Sequence, residues 1–176
     1  LTCSVSLNQL NAQSLDWAAR FSRDVNGSIN DYEILANGDV IVIGQYDGRM
    51  KFEGVNSRIT IGPNCDYCIS SFAARLDDQG EAIWYQNWQN AGPSMVRVDQ
   101  MEFDHNGDII IGGAYKGAYD LDPSAGSAFT PNGAGLFLIK LDTSGSYISS
   151  NTLAGASNAF LPDYNVNHFV KLGNDF

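Results

Sequence analysis

The chain has 176 residues, 44% of them hydrophobic, with 20 acidic against 10 basic side chains and a net charge of −10. That length suits one domain with a sizeable core, and the charge argues against nucleic acid, whose phosphates are bound by displacing counterions with Lys and Arg. No run approaches the roughly 18 apolar residues that a membrane-spanning helix needs, so no membrane span is expected.

Leu1 to Gln13 is small and moderately apolar and resembles the tail of a secretory signal peptide, with cleavage after Ala12 leaving Gln13 as the mature terminus. It lacks a basic leading region, and the alternative is an ordinary N-terminal strand or tail. Short strands follow. Ile29 to Leu35 runs into the turn Asn37-Gly38-Asp39 and then the apolar run Val40 to Ile43. An Asn-Gly pair supplies positive φ at little cost, which marks a hairpin between apolar strands. Ile59 to Ile61 comes next, then Phe72 to Leu76, which turns at Asp77-Asp78-Gln79-Gly80 into Ala82 to Trp88. The order then recurs: Val96 to Phe103, Ile109 to Ile111, a short stretch near Phe129, Phe137 to Leu141, and a turn at Gly145 into Tyr147. No segment carries a capped helical period, so an all-β fold is expected.

The recurrence is a repeat. Asn37-Gly38-Asp39-Val40-Ile41-Val42-Ile43-Gly44 returns 69 positions later as Asn106 to Gly113, and Arg75-Leu76-Asp77 with Gly80 returns 65 positions later as Lys140-Leu141-Asp142 with Gly145. A third copy begins at Asn167-His168-Phe169 and runs through Asn174. A unit of this size cannot bury its apolar face alone, so units stack. The expected organisation is a signal remnant over 1–12 and a partial β-propeller over 13–176, with four-stranded blades at about 14–80 and 81–145 and a third begun over 146–176. Propellers close with roughly 4–8 blades. The chain therefore reads as about two and a half blades of a longer protein; standing alone, it would need to oligomerise to cover open strand edges.

Asn106 to Gly113, Tyr119-Asp120-Leu121-Asp122-Pro123, Gly135 to Asp142 with Gly145, and Phe72 to Gly80 followed by Ile83-Trp84 together resemble bacterial SBBP-type β-propeller repeats. The likeness is strongest to those in large secreted proteins of the type IX secretion pathway. The resemblance implies an extracellular or cell-surface repeat scaffold, not a particular ligand. Lys51-Phe52-Glu53-Gly54 departs from it, standing where the second copy has Asp120-Leu121-Asp122-Pro123.

Asp120 and Asp122 alternate along an extended stretch ahead of Ser124. Calcium takes six to eight oxygens, and these three side chains with loop carbonyls could supply several; the alternative, favoured because two carboxylates are few, is an Asx-type turn. The Asn-Gly-Asp triplets, Asp77, Asp78 and Asp142 read as turn residues. Cys65-Asp66-Tyr67-Cys68 has no counterpart in the second copy, which is four residues shorter there, and so falls in a loop insertion. A redox pair would need a helix N-terminus, and zinc would need two more ligands from Cys3, His105 and His168; a local disulfide is favoured for an exported protein. His105 and His168 have no nucleophile at a recurring spacing, and no catalytic residue is assigned. Trp17, Trp84, Trp88, Tyr85 and Tyr115 read as core or inter-blade packing residues. The leading expectation is a non-enzymatic exported scaffold presenting loops to a protein or glycan. The alternatives are a polysaccharide-acting hydrolase or lyase whose catalytic residues lie elsewhere, and a calcium-dependent adhesion module.

Overall fold

The computed structural model describes residues 27–47, 50–53, 58–61, 69–89, 95–124 and 126–154. Leu1 to Ala12, Trp17, the three cysteines, His168 and the third-copy segment lie outside them. Every regular element among the described residues is a strand: β1 (Gly27–Ile34), β2 (Val40–Asp47), β3 (Met50–Glu53), β4 (Arg58–Ile61), β5 (Ile69–Leu76), β6 (Ala82–Trp88), β7 (Met95–Phe103), β8 (Ile109–Lys116), β9 (Ala134–Leu141) and β10 (Tyr147–Ala154). They form two antiparallel four-stranded sheets, ordered β1-β2-β5-β6 and β10-β9-β8-β7, and the separate hairpin β3-β4. Ile59 to Ile61 thus belongs to that hairpin, and the fourth strand of the first sheet is Ala82 to Trp88. Sequence repeat and folded sheet are offset by one strand, since β6 and β10 each close the sheet of the preceding β5 or β9.

The two sheets match residue for residue. Val40 to Asp47 maps onto Ile109 to Lys116, and Ile69 to Leu76 onto Ala134 to Leu141, at the sequence offsets of 69 and 65. Even the irregularities coincide. A bulge between Ile29 and Asp31 recurs between Val98 and Gln100, and one opposite Arg75/Leu76 recurs opposite Lys140/Leu141. The Lys51–Thr60 pair in β3-β4 has its counterpart in the Asp120–Phe129 bridge, also 69 positions on. The change from 69 to 65 is therefore confined to the connection between Ile61 and Ile69, which is the stretch containing Cys65 and Cys68.

Four hairpins close on one design. In each, an N–H at the strand end bonds the carbonyl four residues on, and a glycine N–H bonds the carbonyl three residues back: Leu35 to Asp39, Asp77 to Glu81, Asp104 to Asp108 and Asp142 to Ser146. This is a type I turn followed by a left-handed residue, a role glycine fills without a Cβ clash; Gly38, Gly80, Gly107 and Gly145 have φ of 90°, 77°, 82° and 82°.

Alternation along β2 and β5 gives the first sheet two apolar faces. Ile41, Ile43 and Ala73 lie on one, and Val42, Tyr46, Phe72, Ala74 and Leu76 on the other with Met50. The first of these faces packs on the second sheet, where Val96, Val98, Met101, Ile109, Ile111, Phe137, Ile139 and Leu141 complete a single buried cluster. Strand β7 lies against β1, β2 and β5. Polar side chains of the first sheet hold it there. The Asn30 amide donates to the Val98 carbonyl (2.5 Å), Asp31 accepts from the Met101 N–H (3.0 Å), and Ser71 Oγ donates to the Val96 carbonyl (2.9 Å). Further along, the Trp84 indole N–H reaches the Thr143 carbonyl (3.1 Å) and the Gln86 amide reaches that of Gly145 (2.7 Å).

Candidate functional site

The residues singled out in the sequence fall in two places: the strand-end turns, and the loop between β8 and β9. At the turns, the third residue of Asn-Gly-Asp does more than shape the backbone. Asp39 Oδ2 sits 2.6 Å from Arg75 Nη2, and Asp108 Oδ2 sits 2.9 Å from Lys140 Nζ, the same pair moved by one repeat. Each ties the β1-β2 type turn to the neighbouring β5 or β9. Lys140 also meets Asp104 Oδ2 at 2.7 Å. The Lys140 ammonium, with N–H groups of Asp108 and Asn106, outweighs burial and lowers the Asp104 carboxyl to about 2; reciprocally, the two carboxylates raise the Lys140 ammonium above its ordinary value. Sequence reading found the turns and missed these ion pairs. The signal was present, since an acid at Asp39 and Asp108 co-occurs with a base at Arg75 and Lys140.

The β8–β9 loop is pinned at its base. The Gly117 N–H bonds the Gly133 carbonyl (2.6 Å), while Thr130 Oγ1 accepts from the Tyr119 N–H and donates to the Gly117 carbonyl, both at 2.8 Å. Tyr119 donates its hydroxyl to the Gln89 carbonyl (2.6 Å), and burial raises its pKa. Leu121 is fully buried, and its carbonyl receives the Trp88 indole N–H at 3.1 Å. The loop thus packs on the last strand of the first sheet.

Asp120, Asp122 and Ser124 stand together beyond that anchor. Asp120 Oδ1 accepts from the N–H groups of Ala128 (2.7 Å) and Asp122 (3.1 Å). Asp122 Oδ1 accepts from the Ser124 N–H (2.8 Å) and hydroxyl (2.5 Å), and Ser124 Oγ in turn takes the Gly126 N–H. The same device closes the next turn: Asp142 Oδ1 accepts from the Ser144 N–H and hydroxyl and the Ser146 N–H, which hold its carboxyl below the usual range. A Cβ on Gly126 would lie 2.0 Å from Asp122 Oδ2, so the loop closes tightly over that carboxylate. Among the described residues no group of three or more His, Cys, Asp or Glu could hold a metal ion. The structure gives Asp120 and Asp122 the bonds of an Asx-type turn.

His105 is an exposed turn residue. Of the aromatic residues, Trp88 and Tyr115 are buried, Trp84 is half-buried against the Gly145 turn, and Tyr85 is exposed. Tyr46, buried on the far face of the first sheet, donates to Asn87 Oδ1 (2.6 Å), and burial raises its hydroxyl to about 12. No family model, curated protein or solved structure matches this chain.

Proposed function

We propose that the chain is part of an exported bacterial β-propeller scaffold of SBBP-type repeats, which presents loops to a protein or glycan ligand outside the cell and performs no chemistry itself. One observation carries this reading: what repeats is framework, and what differs is loop. The acid–base pairs Asp39–Arg75 and Asp108–Lys140, the four turn glycines and both bulges recur. The departures collect in the segment joining the second and third strands of each sheet, with Lys51 and Glu53 against Asp120 and Asp122, and the Cys65–Cys68 insertion on one side alone. A stacked framework with variable connections suits recognition, because loops held by a rigid scaffold carry binding.

The test exchanges loops. Replacing 119–130 by the sequence of 50–61 keeps the strand framework, so the melting midpoint moves by a few degrees, and binding on an array of glycans and cell-surface proteins is lost or redirected. Reducing-end release from a polysaccharide by the unaltered chain would replace the scaffold reading with that of a hydrolase or lyase.

A further inference from the structure

The sequence holds four Asn-Gly pairs, beginning at Asn26, Asn37, Asn106 and Asn132, and Asn26 lies outside the described residues. The other three are exposed asparagines in strand connections, and the fold treats them differently. In such a pair the glycine nitrogen is placed to attack the asparagine side-chain carbonyl carbon, because glycine has no side chain to block the approach. Solvent base takes the proton from that nitrogen, a bond forms from it to Cγ, and the Cγ–Nδ2 bond breaks as ammonia leaves. Water then opens the cyclic imide at either carbonyl, giving aspartate or isoaspartate. The step requires a glycine N–H outside any hydrogen bond, a side-chain amide free to turn toward it, and room for the ring.

Asn37 fails on the first two counts. The Gly38 N–H donates to the Leu35 carbonyl (2.9 Å), and the Asn37 amide is held at both ends, Nδ2 donating to Asp39 Oδ2 (2.9 Å) and Oδ1 accepting from the Asp39 N–H (3.3 Å). Asn106 fails on the first. The Gly107 N–H donates to the Asp104 carbonyl (3.1 Å), while no described group holds the Asn106 amide. Asn132 fails on none. The Gly117 N–H bonds the Gly133 carbonyl (2.6 Å), but the return bond is missing, and the Gly117 carbonyl accepts from Thr130 Oγ1 (2.8 Å) instead. Among the described residues no acceptor meets the Gly133 N–H and no group holds the Asn132 amide. A Cβ on Gly133 would meet nothing within 4 Å, so the ring has room to form.

We infer that Asn132 is a self-modification site, deamidating spontaneously to aspartate and isoaspartate in the folded chain while the hairpin turns shield Asn37 and Asn106. Isoaspartate routes the main chain through the side chain, which adds a methylene to the backbone and a carboxylate to the surface. Here the added length falls at the neck of the β8–β9 loop. Only Pro131 separates Asn132 from Thr130, whose Oγ1 accepts from the Tyr119 N–H (2.8 Å) and donates to the Gly117 carbonyl, and Gly133 follows directly. The Thr130 and Gly133 contacts with Gly117 cannot both persist across a longer chain, so isoaspartate at position 132 loosens the loop at its base. The inference stands on this geometry and holds whatever the loop binds.

The experiment ages the whole chain at mildly alkaline pH, folded in one arm and unfolded in urea in the other. Peptide mapping by mass spectrometry, with electron-transfer fragmentation to separate aspartate from isoaspartate, gives the rate at each asparagine. In the folded arm Asn132 should react first. Asn106 should be about tenfold slower, equivalent to about 1.4 kcal/mol and within the range of the one hydrogen bond that must break, and Asn37 should be slower again. In urea the three rates should converge. Folded rates that are equal, or that put Asn37 or Asn106 ahead, overturn the inference. The same ranking persisting in urea overturns it too, since the difference would then come from sequence neighbours and not from the fold. Hydrogen exchange on the fraction carrying isoaspartate at position 132 should be faster at the Gly117 and Tyr119 amides than in the fresh chain; unchanged exchange at both would overturn the loosening of the neck.

Discussion

Replacing Gly113 by Ala tests a close backbone approach between β7 and β8. A Cβ there would lie 1.9 Å from the Arg97 carbonyl oxygen and 2.8 Å from Phe137 Cζ. Ordinary contact begins near 3.4 Å, so the β7 backbone must retreat by about 1.5 Å. That strand is paired through Val98 to Gly113 and carries Val98 and Met101 into the inter-sheet core, so it cannot retreat alone. Overpacking costs about 1–3 kcal/mol, and a lost ladder hydrogen bond adds about 1 kcal/mol, giving about 2–4 kcal/mol. For a chain of this size that lowers the melting midpoint by roughly 4 to 16 °C. The geometry is repeated at Gly44, where a Cβ would meet the Ser28 carbonyl oxygen at 2.1 Å and Phe72 Cε1 at 2.9 Å, so Gly44→Ala should cost a similar amount. Gly107→Ala separates crowding from backbone strain. Nothing lies within 4 Å of its Cβ, but φ is +82°, and the left-handed penalty of about 1 kcal/mol lowers the midpoint by only about 3 °C. Shrinking the ring in Gly113→Ala/Phe137→Leu should not restore stability, because the main obstacle is backbone. Calorimetric melts of the five proteins decide. A Gly113→Ala midpoint within about 2 °C of wild type, or full rescue by Phe137→Leu, would refute the reasoning.

Arg75→Met should cost about 1.5–3 kcal/mol in chemical denaturation, the range for a hydrogen bond to a charged group, because Asp39 loses its cationic partner and keeps only the Asn37 amide on Oδ2, while the turn itself remains. In acid, the Asp104 carboxylate, depressed from 3.8 to about 2, stabilises the fold above its unfolded pKa, and that contribution is lost as pH falls through about 2. Midpoints measured across that window should fall less steeply for Asp104→Asn than for wild type. Asp122→Ala removes two bonds to Ser124 and should lower stability by about 1 kcal/mol equally in excess calcium and in chelator; a midpoint that calcium raises only when Asp122 is present would turn the loop into a cation site. Trp88→Phe leaves the Leu121 carbonyl without its indole donor and should cost about 1–3 kcal/mol, read by denaturant titration.

The strands were legible because period-two apolar runs end at glycine turns, and β6 has the bounds the alternation gives, Ala82 to Trp88. The runs stopped short at Ile43 and Ile111 because glycine reads as a strand end. There β2 and β8 continue through Gly44 and Gly113 to Tyr46 and Tyr115, since the missing side chain makes room for Phe72 or Phe137 and a neighbouring carbonyl. Strand β3 was hidden because Met50 to Glu53 is too short and polar for a period. The repeat announced two stacked units. The turns at Asp77 to Gly80 and at Gly145 marked the β5-β6 and β9-β10 hairpins, whereas unit bounds set at 80 and 145 cut through them, because strand partners are chosen by register rather than by repeat boundaries. Asp120, Asp122 and Ser124 were seen as neighbours in sequence, and the structure brings them together. Their partners, the N–H groups of Ala128 and Gly126, lie across a loop whose closure no local pattern encodes.

The central claim is that the repeat folds as two equivalent sheets, with the first gripping the second at the Thr143–Gly145 turn. Nuclear Overhauser contacts of the Trp84 indole measure that most directly. The ring packs over Gly145, and its N–H donates to the Thr143 carbonyl at 3.1 Å. The account predicts strong cross-peaks from the indole protons to the α-protons of Thr143 and Gly145, with the Gly145 resonances shifted upfield by the ring. A Trp84 indole with cross-peaks confined to its own sheet, and Gly145 resonances at their ordinary positions, would contradict it.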